Sequence, residues 1–262
     1  MDKRLSAMQK KILSWYHINK RDLPWRKTAD PYAILVSEVM LQQTQVDRVI
    51  PFFLKWMEHF PTLQSLAMAK KKTVLQYWSG LGYNSRALRL RELALILTSH
   101  FKAKIPQNEK ELLTLPGIGP YTARAILSFA FNKEVPLIDT NIRRLLIHEL
   151  KLKKNIPMQD LEGIARKLIP KGKSRVWHNA MMDYGALVVT SRKTGIKPLS
   201  PQSPFKGSDR QIRGYIIKQL LSHRRALVAS LAKQYPHAQL QRVINKLVYE
   251  GIIKSNKNSI SL

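Results

Sequence analysis

The chain has 262 residues, of which 44% are hydrophobic and 24% charged, which is enough apolar material for one large or two modest globular cores. Disordered and fibrous proteins are therefore excluded, and the lack of cysteine excludes disulfides, thiolate catalysis and cysteine-ligated metal sites. Forty-five basic against 17 acidic residues give a net charge of +28, so the expected partner is a polyanion, with nucleic acid as the first choice.

No stretch approaches 18 consecutive apolar residues, and segment 1–11 is amphipathic and charged with no apolar signal region behind it. We therefore expect an intracellular protein, cytoplasmic or nucleoid-associated, with no membrane partner. A ribosome-associated or generally adhesive basic protein is the alternative that charge alone leaves open.

Helical patterns dominate the sequence. Asp30 followed by Pro31 is typical of a helix start, and apolar residues then lie on most faces of 32–45, which indicates a buried helix. Further helices are predicted at 49–59, 72–79, 86–101, 109–115, 121–131, 140–150, 160–168 and 175–188. Strand patterns are nearly absent before residue 250, so the main fold is expected to be all-α.

Three prolines and two serines between residues 197 and 207 mark a domain boundary. Ser208 and Gln211 then predict a capping box at a new helix, residues 227–235 and 238–250 predict helix, turn, helix, and 252–262 alternate as two short strands around 256–258 would. This segment resembles a winged helix, whose second helix would offer polar side chains to a DNA groove: Gln239, Gln241, Arg242, Asn245 and Lys246. Packing of the module on the main domain, or binding to a protein, is the alternative.

Glu38 is a single carboxylate within the first buried helix. Apolar residues lie one turn before it and one turn after it. Burial among them raises the pKa of a carboxyl and retains its proton near neutral pH, as a general acid requires. An ion pair with Arg26 or Arg86 is an equally good interpretation of the sequence.

Asp139 stands where the N-cap of the helix 140–150 is expected, directly after the apolar segment 135–138. Helix capping is the simplest interpretation. Backbone N–H groups and the helix dipole at such a position also keep a carboxylate ionised, which suits a group that faces a developing cation. Glu38 and Asp139 would then hold opposite protonation states, as cleavage of a glycosidic bond needs.

A glycine-rich turn, Leu115-Pro116-Gly117-Ile118-Gly119, separates two predicted helices. Its glycines allow close backbone approach, and the N–H groups that follow can hold a DNA phosphate. A plain turn between helices is the alternative. Several polar and aromatic residues near these motifs are individually more typical of packing than of function: Arg26, Gln42, Gln43, Tyr83 and Tyr121.

Four motifs follow one another along the chain: Ser37-Glu38-Val39-Met40-Leu41-Gln42-Gln43-Thr44-Gln45-Val46, Gly80-Leu81-Gly82-Tyr83, the 115–119 turn with Tyr121-Thr122-Ala123, and Asp139-Thr140-Asn141. Together they resemble the helix-hairpin-helix DNA glycosylases, and most of all the adenine DNA glycosylases of the MutY type. The likeness covers residues 8–190. Its specific part is the glutamate with the double glutamine, because the hairpin and its aspartate are shared by the whole superfamily.

The resemblance implies a two-lobed, all-α helix-hairpin-helix glycosylase fold over residues 1–200. The winged-helix-like segment at 208–262, inferred from its own pattern, follows as a separate domain. A six-helix lobe would span about 31–145, and residues 1–30 and 146–200 would form the second lobe. The resemblance also implies a monofunctional glycosylase that removes adenine mispaired with guanine or 8-oxoguanine from double-stranded DNA in base excision repair. We expect a monomer, which suffices for a single flipped base.

Each matched residue then has an implied role. Glu38 matches the acid that protonates adenine, and Asp139 matches the carboxylate that stabilises or captures the oxocarbenium ion. Tyr121 and Asn141 match its neighbours. Arg26 matches a residue that contacts the extruded base. Because Tyr121 stands where bifunctional relatives carry a Schiff-base lysine, strand cleavage by that route is not expected.

The implied DNA contacts lie outside this group. Gln43 and Tyr83, with Gln42 beside them, match residues that wedge into the duplex where the base leaves. The hairpin residues Leu115, Gly117 and Gly119 match a phosphate-binding turn, and the family habit of a monovalent cation at the backbone of Ile118 is a further expectation.

The chain departs from the family pattern in two places. The usual C-x6-C-x2-C-x5-C spacing around an iron–sulfur cluster falls on Val189, Ile196, Leu199 and Phe205, so we expect no cluster and no other cofactor. A small hydrophobic cluster of these four side chains would fix the loop instead, at about 1.5–3 kcal/mol for each buried side chain.

The second departure is at the C-terminus, where the best-known relatives carry a domain that inspects 8-oxoguanine. The winged-helix-like module stands there instead, so the sequence predicts adenine excision more firmly than a preference for 8-oxoguanine. Removal of another mismatched base, such as thymine opposite guanine, is one alternative, against which Glu38 argues because it suits a purine leaving group. A non-catalytic DNA-binding protein is the other.

Overall fold

A computed structural model of the chain describes residues 3–199, 204–256 and 258–262. It is mostly helical, which confirms the expected all-α class. No helix in these residues combines the length and the apolar character needed to cross a membrane. By contacts between residues the chain divides into two units, one formed by 1–38 and 105–201 and the other by 39–104 and 202–262. The predicted domain bounds, 1–200 and 208–262, stay predictions.

The described residues form fifteen α-helices. In chain order they are α1 (Lys3–Asn19), α2 (Pro31–Leu41), α3 (Val46–His59), α4 (Leu63–Met68), α5 (Lys71–Trp78), α6 (Ser85–His100), α7 (Glu109–Leu113), α8 (Pro120–Phe129), α9 (Thr140–Glu149), α10 (Met158–Lys167), α11 (Ser174–Leu187), α12 (Ser191–Thr194), α13 (Asp209–His223), α14 (Val228–Ala232) and α15 (His237–Tyr249). A short 3-10 helix, Pro24–Arg26, lies between α1 and α2.

The nine helices predicted for the main fold are all present, with ends within four residues of the expected ones. The largest difference is α2, which ends at Leu41 because the chain turns there. The Thr44 N–H bonds back to the Leu41 carbonyl at 3.2 Å, and Gln43 has a positive φ of 55°. The sequence patterns do not predict α1, α4 or α12.

The first unit buries its apolar side chains between α1, α9, α10 and α11. Ile12, Leu145, Leu161 and Trp177 are fully covered there, and they come from four different helices. On α9 the buried residues recur at helical spacing, so one face of this helix is fixed against the core. The start of α9, which carries Asp139, is held in place by this packing.

The second unit contains the C-terminal module, in which α13, α14 and α15 pack against a small sheet. Its strands are β1 (Arg225–Leu227), β2 (Lys254–Ser255) and β3 (Ser259–Ser261), antiparallel in the order β1-β3-β2. Leu75 of α5 belongs to the same apolar cluster, and Leu88 of α6 packs on it. One face of the module is therefore docked on the helices before it, as one of the two sequence interpretations proposed.

Two details of the module correct the sequence analysis. Ser208 is the N-cap of α13, but the capping box is wrong: its Oγ donates to the Phe205 carbonyl at 2.6 Å, and Gln211 Oε1 accepts from the Gly207 N–H at 2.7 Å. The helix expected at 227–235 is shorter, because residues 225–227 form a strand paired with 259–261.

Candidate active site

Glu38 lies on α2 with only 6% of its surface exposed. Burial raises its pKa from 4.5 to about 7, and the charge of Asp139 adds to this rise, while a hydrogen bond from Tyr121 and the charge of Arg26 oppose it. The side chain therefore holds a proton for a large fraction of the time near neutral pH. The general-acid interpretation of the sequence agrees with this environment.

The alternative interpretation, an ion pair of Glu38 with Arg26 or Arg86, does not agree with the contacts of these arginines. Arg26 directs both Nη atoms to Asp183, at 2.7 and 2.8 Å. Arg86 donates to backbone carbonyls, among them that of Gln42 at 2.8 Å. The hydrogen bond to Glu38 comes instead from the phenol of Tyr121.

Tyr121 is the second residue of α8 and follows directly on the glycine-rich turn. Burial raises the pKa of its phenol well above 10, and the nearby carboxyls of Glu38 and Asp139 raise it further. The hydroxyl therefore stays protonated and can donate its hydrogen to Glu38. The phenol of Tyr121 donates a hydrogen bond without carrying a charge, so it orients the Glu38 carboxyl without forming an ion pair with it.

Asp139 caps α9, as predicted. Its Oδ1 accepts from the Ile142 N–H at 2.7 Å, and its Oδ2 accepts from Asn141 Nδ2 at 2.8 Å. These bonds lower the pKa of the carboxyl, as expected for a cap, but burial outweighs them and the net shift is upward. The bonds that favour the ionised form are those expected of a cap, and the opposing effect of burial is what the sequence interpretation did not include.

Behind Asn141 stands Arg144, which sequence reasoning missed. It is buried on α9, one turn after Asn141, and its Nη2 donates to Asn141 Oδ1 at 2.7 Å and to the Gly185 carbonyl at 2.6 Å. Its Nε donates to the Val189 carbonyl. Asn141 is therefore held between Asp139 and the guanidinium of Arg144. The sequence signal for the contact between Asn141 and Arg144 is their spacing of three residues on one helix.

Asp183 is a second residue that the sequence did not single out. It is fully buried on α11 and accepts from Arg26 and also from Arg21, whose Nε lies 2.7 Å from Oδ1. Burial alone would raise the pKa of Asp183, but its bonds to the two arginines outweigh burial and hold it below the usual value. The Nε of Arg26 is buried and has no partner among the described residues. Asp183 thus positions Arg26.

The glycine-rich turn joins α7 to α8 as a helical hairpin. Gly117 has a φ of +80°, and Gly119 is the N-cap of α8 with Pro120 at the first helical position. Both glycines are exposed, whereas the side chains of Leu115 and Ile118 are buried. The turn thus exposes backbone N–H groups at the start of a ten-residue helix, which is the geometry that favours an anion. The cation expected at Ile118 stays a prediction.

Gln42, Gln43 and Tyr83 belong to the second unit, where Arg86 connects them. Besides its bond to the Gln42 carbonyl, the guanidinium lies 5.3 Å from the centre of the Tyr83 ring and donates to the Gly82 carbonyl at 3.3 Å. Gln43 and Tyr83 both have positive φ, 55° and 48°. The turn after α2 and the 80–83 loop are therefore held together, as residues acting on one site require.

Polar residues predicted on the second helix of the module lie on α15. Gln241, Arg242, Asn245 and Lys246 are exposed, whereas Gln239 is half-buried and donates to the Gly207 carbonyl at 3.0 Å. Four of the five therefore face outward, and Gln239 is used inside the module.

The proposed apolar substitute for an iron–sulfur cluster is wrong. Val189 and Ile196 are buried, but Leu199 is 68% and Phe205 61% exposed, so the four side chains form no common cluster. Val189 instead joins the core of α1, α9 and α11, and Arg144 binds its carbonyl. Because these 262 residues include no cysteine, a thiolate-held cluster does not fit this chain. Among the described residues no three metal-binding side chains gather.

Comparisons with known proteins agree with this geometry. An adenine DNA glycosylase of Mycolicibacterium smegmatis is 37% identical over 95% of this chain and 94% of its own length. The human adenine DNA glycosylase is 38% identical over 83% of this chain, which spans 42% of the human protein. In structure, a thermostable thymine-DNA glycosylase superposes with a TM-score of 0.68 at 30% identity, covering 74% of this chain and 91% of that one.

The family model described as HhH-GPD superfamily base excision DNA repair protein matches residues 36–171, more than half of the chain. The matched segment includes Glu38, the hairpin, Tyr121 and Asp139, which are the parts of the site described above. The chain therefore belongs to the HhH-GPD superfamily of base excision DNA repair proteins.

Proposed function

We propose that this chain is a monofunctional DNA glycosylase that removes adenine opposite guanine or 8-oxoguanine and leaves an abasic site for base excision repair. The observation that carries the proposal is the buried Glu38, whose pKa is raised to about 7 and whose hydrogen-bonding partner is Tyr121, beside the capping carboxylate of Asp139. An acid and an anion at one place are what cleavage of an N-glycosidic bond needs. Relatives named adenine DNA glycosylase support the choice of base.

The base must first leave the duplex, because its glycosidic bond is not accessible inside the stack. We assign Gln43 and Tyr83, with Gln42 beside them, to the space that the extruded base leaves in the duplex. The exposed backbone at Gly117 and Gly119 is assigned to a phosphate of the strand. Leu115 contributes through its backbone only, since its side chain is buried.

Glu38 then transfers its proton to a ring nitrogen of the extruded adenine. The bond between the sugar carbon and the base breaks, its electron pair leaves with the protonated purine, and the sugar becomes an oxocarbenium ion. Asp139, oriented by Asn141, stabilises this cation as a carboxylate. Water adds to the sugar carbon and gives up a proton, which the Glu38 carboxylate takes up, so that the acid is restored. Arg26, fixed by Asp183, is assigned to the base.

Strand cleavage does not follow. A lyase step needs an amine that forms a Schiff base with the sugar, and Tyr121 supplies a phenol at the corresponding position. The proposal also includes no cofactor, a monomer acting on double-stranded DNA with a mismatched or oxidised pair, and an intracellular location, in the cytoplasm or at the nucleoid.

Removal of thymine opposite guanine is a second candidate, favoured by the 30% identity to the thymine-DNA glycosylase. Against it, Glu38 is an acid suited to protonating a purine as it leaves. The two candidates differ in the strand and base that are cut, so one experiment separates them.

That experiment is single-turnover cleavage of end-labelled duplexes carrying adenine opposite 8-oxoguanine, adenine opposite guanine, and thymine opposite guanine, each with and without hot alkali. We expect alkali-dependent cutting at adenine that is lost in Glu38→Gln and retained in Glu58→Gln, an exposed glutamate on α3. Cutting at thymine would favour the second candidate. Binding of all three duplexes without cutting would identify a non-catalytic DNA-binding protein.

A further inference from the structure

One face of α15 lies outside the apolar core of the module. Leu240, Val243, Ile244 and Leu247 point into the module and are buried. The opposite side carries five exposed residues at positions that lie on one stripe of a helix, and a shallow open groove runs along them: Gln241, Arg242, Asn245, Lys246 and Tyr249. We call this stripe the α15 face. Two turns of helix therefore present amides, cations and a phenol to the outside.

We propose that the α15 face is a second DNA-binding surface, which holds ordinary double-stranded DNA through its phosphates whatever the base pair. The chain from residue 206 onward carries 11 basic and 2 acidic residues, so the module attracts a polyanion. An α-helix with amide and cationic side chains fits the major groove and its flanking phosphates. The proposal does not depend on adenine excision.

The two acidic residues of the module are too few to offset its 11 basic residues, and each of them pairs with basic side chains of the module. Glu250 pairs with Arg213 at 2.6 Å. Asp209, on the first turn of α13, accepts from Arg242 at 2.7 Å and lies 3.6 Å from Lys246. More than half of each of these two cationic side chains is exposed, so the ion pairs are of the weak surface kind and a phosphate can replace the carboxylate.

The amides of the face are also ordered before any ligand arrives. Gln241 Nε2 donates to Asn245 Oδ1 at 2.9 Å, one helical turn away. This leaves the Asn245 amide hydrogens and the Gln241 carbonyl oxygen directed at the surroundings. Because the module is docked through Leu75 and Leu88 on the helices before it, the face is part of the second unit and not a tethered appendage.

The test is fluorescence anisotropy of the full chain with a labelled 20-base-pair duplex that contains no mismatch, over a range of salt concentrations. We expect Arg242→Ala/Lys246→Ala to weaken binding about tenfold near 0.1 M salt and to reduce the slope of log K against log salt by about 2, at about 0.9 per phosphate contact. The matched control, Lys218→Ala/Lys233→Ala, removes the same charge from exposed positions of the module off this face. Equal losses in both double variants would overturn the proposal.

A second variant changes affinity in the opposite direction. Asp209→Asn releases Arg242 and Lys246 and is expected to tighten duplex binding several-fold, more than Glu250→Gln does, and this gain should vanish in the Arg242→Ala/Lys246→Ala background. A gain that persists there would mean a general charge effect and would refute the face as the site. Binding of a polyglutamate peptide that depends on the α15 face, with duplex binding unchanged in the variants, would identify an acidic protein as the partner instead.

Discussion

Glu38→Gln is expected to make the protein more stable at alkaline pH while it removes the acid. A carboxyl whose pKa is about 7 when folded and 4.5 otherwise binds a proton more tightly in the folded state. The stability that this proton contributes is complete below pH 4.5 and is lost as the pH rises through about 7. Glutamine has no proton to lose, and its oxygen can still accept from Tyr121.

The magnitude follows from the two pKa values. Each pH step between them lowers the free energy of unfolding of the wild type by about 1.4 kcal/mol. From about pH 5.5 to about pH 8.5 the stability of the variant relative to the wild type should therefore grow by about 2 kcal/mol, and contacts that glutamine fails to reproduce shift both values equally. In a chain of this size that corresponds to a difference in Tm that widens by about 4–8 °C.

Thermal unfolding of both proteins at the two pH values measures this directly, because effects of other groups cancel in the difference. Glu58→Gln, at an exposed position of α3, is the control, and its difference from the wild type should stay constant with pH. A Glu38→Gln difference that is also constant would refute the reasoning, since it would mean that Glu38 is ionised or solvated in the folded state like an ordinary surface glutamate.

The site supports three further predictions. The single-turnover rate of base excision should fall tenfold per pH unit above about pH 7, as Glu38 loses its proton; a rate that rises with pH in that range would contradict this. Asp183→Asn should lower the free energy of unfolding by about 3 kcal/mol, measured by denaturant, because two arginines lose a buried carboxylate. Gly185→Ala should cost about 1–3 kcal/mol, because its Cβ would lie 2.7 Å from the Asn141 carbonyl oxygen, whereas the open Gly163 tolerates the same change.

The parts of the fold and site that the sequence predicts are those set by short segments. Asp139 caps a helix because a carboxylate directly before an apolar-periodic segment is a local signal. The hairpin depends on two glycines that are two residues apart. The proton of Glu38 depends on the apolar residues of its own helix. Such features need only neighbours within one or two turns, so motif and periodicity identify them.

The residues that the sequence missed act across long stretches of chain. Asp183 binds Arg26 from 157 residues away, and Arg144 binds the Gly185 carbonyl from 41 residues away. These contacts depend on the packing of helices that are distant in sequence. The spacing of apolar residues within each helix is compatible with this packing but does not specify which helices pack together. The loop after Val189 is a further example. Four apolar residues in its sequence do not determine whether their side chains pack in one common cluster.

Two buried carboxyls of the first unit, those of Asp183 and Glu38, show how the neighbours of a buried group decide its protonation state. Asp183 and Glu38 are both almost inaccessible to solvent, and burial raises the pKa of each. Asp183 receives two guanidinium groups, which outweigh burial and make it a fixed anion. Glu38 receives one phenol, which cannot supply a positive charge, so burial prevails and the proton stays. The arginines thus decide the roles: Arg26 binds Asp183, Glu38 has no salt bridge among the described residues, and burial keeps it an acid.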